Sequence, residues 1–252
     1  MSLLTLSGLS VFRGTRAVVD DVSASVGRGE CIGLVGPNGS GKTTLLRAAL
    51  GLIGAQGMSS LALLGAAERA RRVAWMPQAR EIAWPVSVET VIALGRLPHL
   101  PRGARLRDAD RAAVERAITH MGLEAMRGRT ATRLSGGEQA RVLIARALAQ
   151  ETPLVLADEP IAGLDPAHQI ATMELFADLA WGGRSIIVSL HDLGLAARHC
   201  TRLLMLDRGR LVADGPPNEV LTAENVAQVF GITAFYRETP QGVVFQPMEL
   251  TG

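Results

Sequence analysis

Apolar residues follow two rhythms along this chain. Near the start they alternate, with Leu4 and Leu6, then Val18 and Val19, then Val22, Ala24 and Val26, which predicts β-strands with one buried face over residues 3–30. Three short apolar runs follow: 32–35 (IGLV), 154–157 (LVLA) and 184–191 (RSIIVSLH). Each is too short for a helix and lacks alternation, so each reads as a strand buried on both faces, as in a parallel sheet. Residues from about 88 to 150 read as mostly helical. Residues 203–206 and 210–213 flank Asp207-Arg208-Gly209 and predict a hairpin. Beyond about 233 lies a short tail with a strand-like GVVFQ. The pattern predicts an α/β domain with two lobes. An N-terminal antiparallel β lobe and the core take residues 1–87 and 151–235, a helical lobe takes 88–150, and the tail is 236–252.

Composition narrows the class. The 252 residues are 48% apolar and 20% charged, as in a globular protein. A net charge of +2 is too balanced for a general nucleic-acid binder. Two cysteines, Cys31 and Cys200, exclude a disulfide framework and suit a reducing compartment. The opening MSLLTLSGLSVF lacks the marks of a signal peptide, and no apolar run approaches the roughly 18 residues of a membrane span. A soluble cytoplasmic protein is expected. One count is unusual: of 26 basic residues, Lys42 alone is lysine and the other 25 are arginine.

The neighbours of Lys42 give it a task. Gly36, Pro37, Asn38, Gly39, Ser40 and Gly41 follow a buried strand, and Lys42, Thr43 and Thr44 open a helix with Leu45, Leu46, Ala49 and Leu50 on one face. Gly51 is a plausible stop. This is the G-x-x-x-x-G-K-[ST] spacing in its strand–loop–helix context. Glycines let the backbone wrap phosphate oxygens, and N–H groups at a helix start supply positive charge. Lys42 then reaches the β- and γ-phosphates of a nucleoside triphosphate, and Thr43 ligates Mg²⁺.

Other segments say what the nucleotide is for. The 154–157 run ends in Asp158 and Glu159, at the strand end where ligands gather in parallel sheets. Asp158 suits the metal and Glu159 suits the orientation and deprotonation of an attacking water. The run at 184–191 ends in His191, a candidate for the γ-phosphate, and Asp192 reads as an N-cap. His99, His120, His168 and His199 carry no motif and read as surface or packing residues. Residues 134–149, LSGGEQARVLIARALA, form a capping box on Ser135 and Glu138. That does not explain Gly136 and Gly137, each costing a helix up to about 1 kcal/mol relative to alanine. Bare N–H groups at a helix start suit an approaching anion. The two phosphate-type helix tips either serve one nucleotide within a chain or complete each other's sites across a dimer.

GPNGSGKTT, LSGGE and LVLADEP in this order resemble the nucleotide-binding subunit of ABC transporters, over residues 3 to about 232. The resemblance implies a P-loop NTPase core of the RecA-like type, ATP and Mg²⁺ as cofactors, and ATP hydrolysis coupled to transport. It implies that Phe12 stacks on adenine, that Gln78 links the nucleotide site to the membrane partner and helps to hold Mg²⁺, that Asp165 faces the dimer partner and that His191 is the switch histidine. On local reading alone, Phe12 equally suits a core residue, Gln78 a turn, and Asp165 an N-cap before Pro166. The family resemblance further implies a head-to-tail homodimer, with ATP between residues 36–44 of one protomer and 135–138 of the other. The partners expected are transmembrane permease subunits and, indirectly, an extracytoplasmic substrate-binding protein, with no nucleic acid. The expected location is the cytoplasmic face of the plasma membrane, bound peripherally.

The string LGRLPHL in 94–100 resembles the subgroup importing ferric siderophores, heme and cobalamin. Arg96, Arg102, Arg105, Arg107, Arg111 and Arg116 read either as a solvated face or as a surface meeting anionic headgroups or acidic permease loops. Two departures from the subgroup stand out: a short stretch at 51–72 with a reduced strand pair, and Gly194 at a position often polar. The alternatives are an ABC ATPase of another transporter class and a soluble ABC ATPase outside transport.

Overall fold

The computed structural model describes residues 2–79, 82–101, 103–240 and 242–251. In chain order the elements are β1 (Leu4–Arg13), β2 (Arg16–Val26), β3 (Cys31–Val35), α1 (Lys42–Ala49), β4 (Gln56–Ser59), α2 (Ala66–Arg72), β5 (Val73–Met76), α3 (Val88–Ala93), α4 (Asp108–His120), α5 (Gly136–Ala149), β6 (Leu154–Asp158) and α6 (Pro166–Trp181). They continue with β7 (Ser185–Ser189), α7 (Leu193–His199), β8 (Arg202–Asp207), β9 (Arg210–Gly215), α8 (Pro217–Val220), α9 (Ala223–Phe230), β10 (Ile232–Thr239) and β11 (Gly242–Leu250). A 3-10 segment, Leu94–His99, follows α3 directly. Contacts divide the chain into two compact units: residues up to Gly65 together with those from Phe176 on, and Ala66–Leu175.

In the first unit, β1 pairs antiparallel with both β2 and β4, and the alternating Leu4, Leu6, Leu9, Val11, Val19, Val22 and Val26 are buried. The short stretch at 51–72 therefore contributes one strand to that sheet, β4, with Leu6 opposite Ser59, before α2 begins. The central strand β3 runs parallel to β7 on one side and β8 on the other. Every residue of β3 and β7 is buried, as their unbroken apolar runs require. β8 turns back into β9 through Arg208 and Gly209, both at positive φ (+46° and +86°), which is the geometry of a two-residue hairpin loop.

That turn supports the glycine-rich loop. The Gly209 N–H donates to the Ser40 carbonyl at 2.9 Å, and the Asp20 N–H donates to the Gly209 carbonyl at 2.9 Å. A Cβ on Gly209 would stand 2.6 Å from the Val18 carbonyl oxygen, so only glycine allows the approach. The tail is more ordered than its one strand-like stretch suggests: β10 and β11 form an antiparallel hairpin with Tyr236 opposite Phe245.

In the second unit, β5 and β6 run parallel, and α5 packs against α3, α4 and β5. Arg96 departs from the solvated arginine face expected for it. It is 6% exposed, donating from Nε to Asp110 Oδ1 at 3.0 Å and from Nη1 to the Ala149 carbonyl at 2.7 Å and to Glu151 Oε2 at 3.1 Å. The cause is the close approach of the 3-10 segment to α5. A Cβ on Gly95 would stand 2.2 Å from the Arg146 carbonyl oxygen, and the side chain of Arg96 is carried inward with the backbone. Arg105, Arg107, Arg111 and Arg116 remain exposed, and Arg102 lies outside the described residues. Among the described residues no helix is long and apolar enough to cross a membrane.

Candidate functional site

The first unit carries the phosphate cradle. β3 delivers the chain to Gly36, whose φ of +149° and neighbours demand glycine: a Cβ would lie 2.2 Å from the Leu206 carbonyl oxygen and 2.7 Å from Ser40 Oγ. The loop passes Pro37, Asn38 and Gly39 and enters α1 at Gly41, a left-handed N-cap with no side-chain hydrogen bond and no acid in the first helical turn. Glycine at the N-cap thus puts no side-chain oxygen over the leading N–H groups of the helix. Lys42 is 5% exposed, and its Nζ donates to the carbonyls of Gly36 at 2.7 Å and Pro37 at 3.1 Å. The ammonium is thus held inside the curve of the loop. Ser40 Oγ is buried without a hydrogen-bond partner among the described residues. Thr44 is buried, and Thr43 beside it is half-buried at the first turn.

These features fit a polyphosphate. Uncapped N–H groups, a buried ammonium, an orphaned hydroxyl and the absence of first-turn acids form a donor set that takes anions and repels none. Thr43 supplies the hydroxyl that a hard cation such as Mg²⁺ accepts.

β7 runs beside β3 with Leu34 opposite Ser189, and the Leu190 N–H donates to the Leu34 carbonyl at 3.1 Å. The loop at 36–41 and His191 therefore leave the sheet at the same carboxyl edge, where parallel sheets place ligands. Asp192 caps α7 as expected, its Oδ1 accepting from the Leu195 N–H at 2.9 Å. Phe12 is 47% exposed near the end of β1, opposite Ala17, so it is no core residue.

The second unit brings another group together. β5 and β6 pair with Met76 opposite Ala157, so Gln78 and Asp158-Glu159 emerge at one edge. Gln78 Nε2 donates to Glu159 Oε2 at 2.8 Å. Asp158 is 1% exposed at the strand end. Glu159 has a left-handed backbone, φ +49°, a strained choice for a residue with a side chain and one that clusters at functional positions.

The capping box on α5 is complete. Ser135 Oγ accepts from the Glu138 N–H at 3.3 Å, and Glu138 Oε2 accepts from the Ser135 N–H at 2.7 Å. The Ser135 backbone, then its hydroxyl and Arg129, hold the Glu138 carboxyl below the usual carboxylate range. A Cβ on Gly136 would meet no described atom within 4 Å, and one on Gly137 would meet Leu164 only at 3.7 Å. Among the described residues nothing requires glycine at this exposed tip.

Asp165 caps α6, with Oδ1 accepting from the His168 N–H at 3.0 Å and Oδ2 paired to His168 Nδ1 at 2.5 Å. These contacts, the backbone one foremost, depress its carboxyl pKa. His168 thus belongs to this corner, although sequence reading placed it among surface or packing residues; the Asp-x-x-His spacing at a helix start was the available signal. A cavity of about 100 Å³ also opens in this unit, lined by Met76, Pro77, Ala79, Leu143, Ile144 and Arg146 next to the Gln78 segment. Burial pushes the Arg146 guanidinium below its ordinary pKa.

The chain is similar to known proteins over most of its length. The family model described as "ABC transporter" matches residues 19–162. A cobalamin import ATP-binding protein of Halobacterium salinarum is 43% identical over 90% of the chain, although the chain spans only 58% of that relative's length. A hemin import ATP-binding protein of Pseudomonas aeruginosa is 39% identical over 95% of the chain and 96% of its own length. Among solved structures, an inward-facing transporter assigned to the metal-chelate type matches with a TM-score of 0.85 and 25% identity, covering 99% of this chain and 98% of that one.

Proposed function

Because the chain belongs to the ABC transporter family, we propose that it binds and hydrolyses ATP as the motor subunit of an importer for a metal chelate of the ferric siderophore, heme or cobalamin class. Its permease is a separate membrane protein, which holds it at the cytoplasmic face of the plasma membrane, and an extracytoplasmic binding protein delivers the cargo. The cargo class rests on the cobalamin and hemin relatives and on LGRLPHL. The observation that carries the motor reading is the open tip of α5. Its two glycines meet nothing that needs them, while α1 already carries a phosphate cradle. A second copy that brings its Ser135 tip to the cradle of the first gives those glycines a reason.

In this reading Gly36, Pro37, Asn38, Gly39, Ser40, Gly41, Lys42, Thr43 and Thr44 bind the phosphates, and Phe12 stacks on the adenine. Thr43, Asp158 and Gln78 would hold Mg²⁺, which when bound neutralises phosphate charge and fixes the transferred group. Glu159 accepts a proton from the attacking water, and its hydrogen bond to Gln78 orients the carboxylate for this. His191 meets the γ-phosphate from its sheet edge. Ser135, Gly136, Gly137, Glu138 and Asp165 face the partner protomer. The Gln78-side groove, lined by apolar residues together with Arg146, suits a permease segment carrying an apolar side chain and an acid.

The test uses two variants of the full chain. Glu159→Gln with MgATP is expected to run as a dimer by light scattering and to hydrolyse at least about 100-fold more slowly, the scale of losing a general base. Adding Ser135→Arg is expected to return a monomer that still binds ATP. Unaltered turnover in the first variant removes Glu159 from its role. Loss of nucleotide binding by the second, as a monomer, means that one chain builds its whole site.

A further inference from the structure

The first unit carries a hairpin, β10–β11, to which the reading above gives no task. One face of it is turned inward: Ile232, Ala234 and Tyr236 are partly covered and Phe245 is 7% exposed. Of its two strands, β10 packs on α9, and β11 packs on α7 as that helix's most extensive partner.

The fit is close at both ends of that helix. A Cβ on Gly194, in the first turn, would stand 3.3 Å from the Phe245 carbonyl oxygen and 3.1 Å from Asp192 Oδ1. The strand backbone thus leans on the first turn of α7 through the space that glycine leaves. At the last turn the Arg198 side chain approaches the hairpin bend: a Cβ on Gly242 would stand 3.5 Å from Arg198 Cζ. This also accounts for the sequence departure at position 194, since a larger side chain would meet the strand.

A helix of seven residues holds no position by itself, because isolated helices this short are unstable and depend on packing. α7 begins at Asp192, directly after His191, and Asp192 is its N-cap. The corner that carries His191 is therefore held from two sides, by β7 and the Leu190–Leu34 hydrogen bond before it and by the first turn of α7 after it. α7 also packs on β3, which leads into the phosphate loop, and on α8. β3 is locked between two parallel strands, whereas the hairpin is a two-stranded sheet of its own and a separate support for the helix.

We propose that the C-terminal hairpin positions His191 for turnover, with Phe245 and Gly194 as positioning residues that act through the first turn of α7. The proposal rests on the reading of the chain as an ATPase. It predicts an effect on the chemical step more than on nucleotide capture, since the hairpin packs chiefly on α7 and α9 rather than on β3 or α1, which flank the phosphate loop.

The experiment measures steady-state ATP hydrolysis by the full chain, with Glu159→Gln as the reference for lost catalysis. Phe245→Ala is expected to lower kcat about tenfold with KM for ATP changed less than about twofold, the pattern of an interaction used only at the transition state. Phe245→Leu is expected to recover most of the loss by refilling the space. In a His191→Ala background, Phe245→Ala is expected to add less than about a twofold further loss, because coupled residues are not additive. Gly194→Ala presses a methyl group on the Phe245 carbonyl from the helix side and is expected to lower kcat in the same direction; it carries the test if Phe245→Ala does not fold. Unchanged kcat in a folded Phe245→Ala or Gly194→Ala, a rise in KM alone, or a full independent loss in the His191→Ala background each overturns the proposal. If the unaltered chain hydrolyses no ATP above background, the ATPase reading has failed and the proposal falls with it; if the unaltered chain hydrolyses ATP and the hairpin variants match it, the proposal alone has failed.

Discussion

Lys42 reaches back over its own loop, its ammonium between the carbonyls of Gly36 and Pro37. A guanidinium there would need a wider, flat space and five satisfied donors, in a position that is 5% exposed. In a chain where arginine is otherwise the rule, this geometry explains the exception. Lys42→Arg is expected to weaken ATP binding nearly as much as Lys42→Ala does, by at least about tenfold, equivalent to about 1.4 kcal/mol. Titration with a fluorescent nucleotide checks it, and near-normal affinity in Lys42→Arg would remove the steric argument. At this scale the sequence was informative wherever partners are local. The Ser135–Glu138 box and the Asp192 cap span three residues each and are visible as spacing. Arg96 and Asp110 are joined only by the folding of the chain, and nothing in LGRLPHL distinguishes an arginine that turns inward from one that faces water.

Among the elements, the helical unit is fastened by that buried pair. Asp110 is 2% exposed and accepts from the Arg107 N–H at 3.0 Å as well as from Arg96. The Arg107 backbone contact, opposed by burial and reinforced by Arg96, holds its carboxyl below the usual value. A carboxylate depressed in this way adds stability at pH values above its unfolded pKa, and that stability is lost as the pH falls through the folded value. Asp110→Asn is therefore expected to cost about 2 kcal/mol at neutral pH, mainly by leaving the buried Arg96 with only the half-exposed Glu151 as its anion. The deficit should shrink on acidification below about pH 4, where the unfolded carboxyl takes up its proton. Urea melts at pH 7 and pH 3 test this, and an unchanging deficit would assign the effect to packing. β10 was hidden for a different reason. Its inward Ala234 and Tyr236 alternate with an outward Phe235 and Arg237, so both faces carry an aromatic and hydrophobicity does not alternate. β3, β6 and β7 were legible because strands covered on both faces leave unbroken apolar runs.

For the whole molecule, the ordered motifs exposed the fold class early, since strand, glycine loop and helix are local. How the strands pair was not legible, because register joins segments far apart. The proposed role as an import motor makes an expectation about the cell. Removing the gene should abolish growth on one of heme, cobalamin or a ferric siderophore supplied as the only source, and leave the other two usable. Growth unaffected on all three would exclude this cargo class. One pairing carries a consequence for biosynthesis. β3 lies early in the chain, yet Cys31 pairs with Ile186 and Ile32 with Arg202. While the ribosome makes the helical unit, the emerging strand has neither neighbour, and its fully apolar stretch must wait in a form open to chaperones or to other nascent chains. Nucleotide grip thus arrives late in translation, because the loop that follows β3 is also pinned by the turn at Gly209.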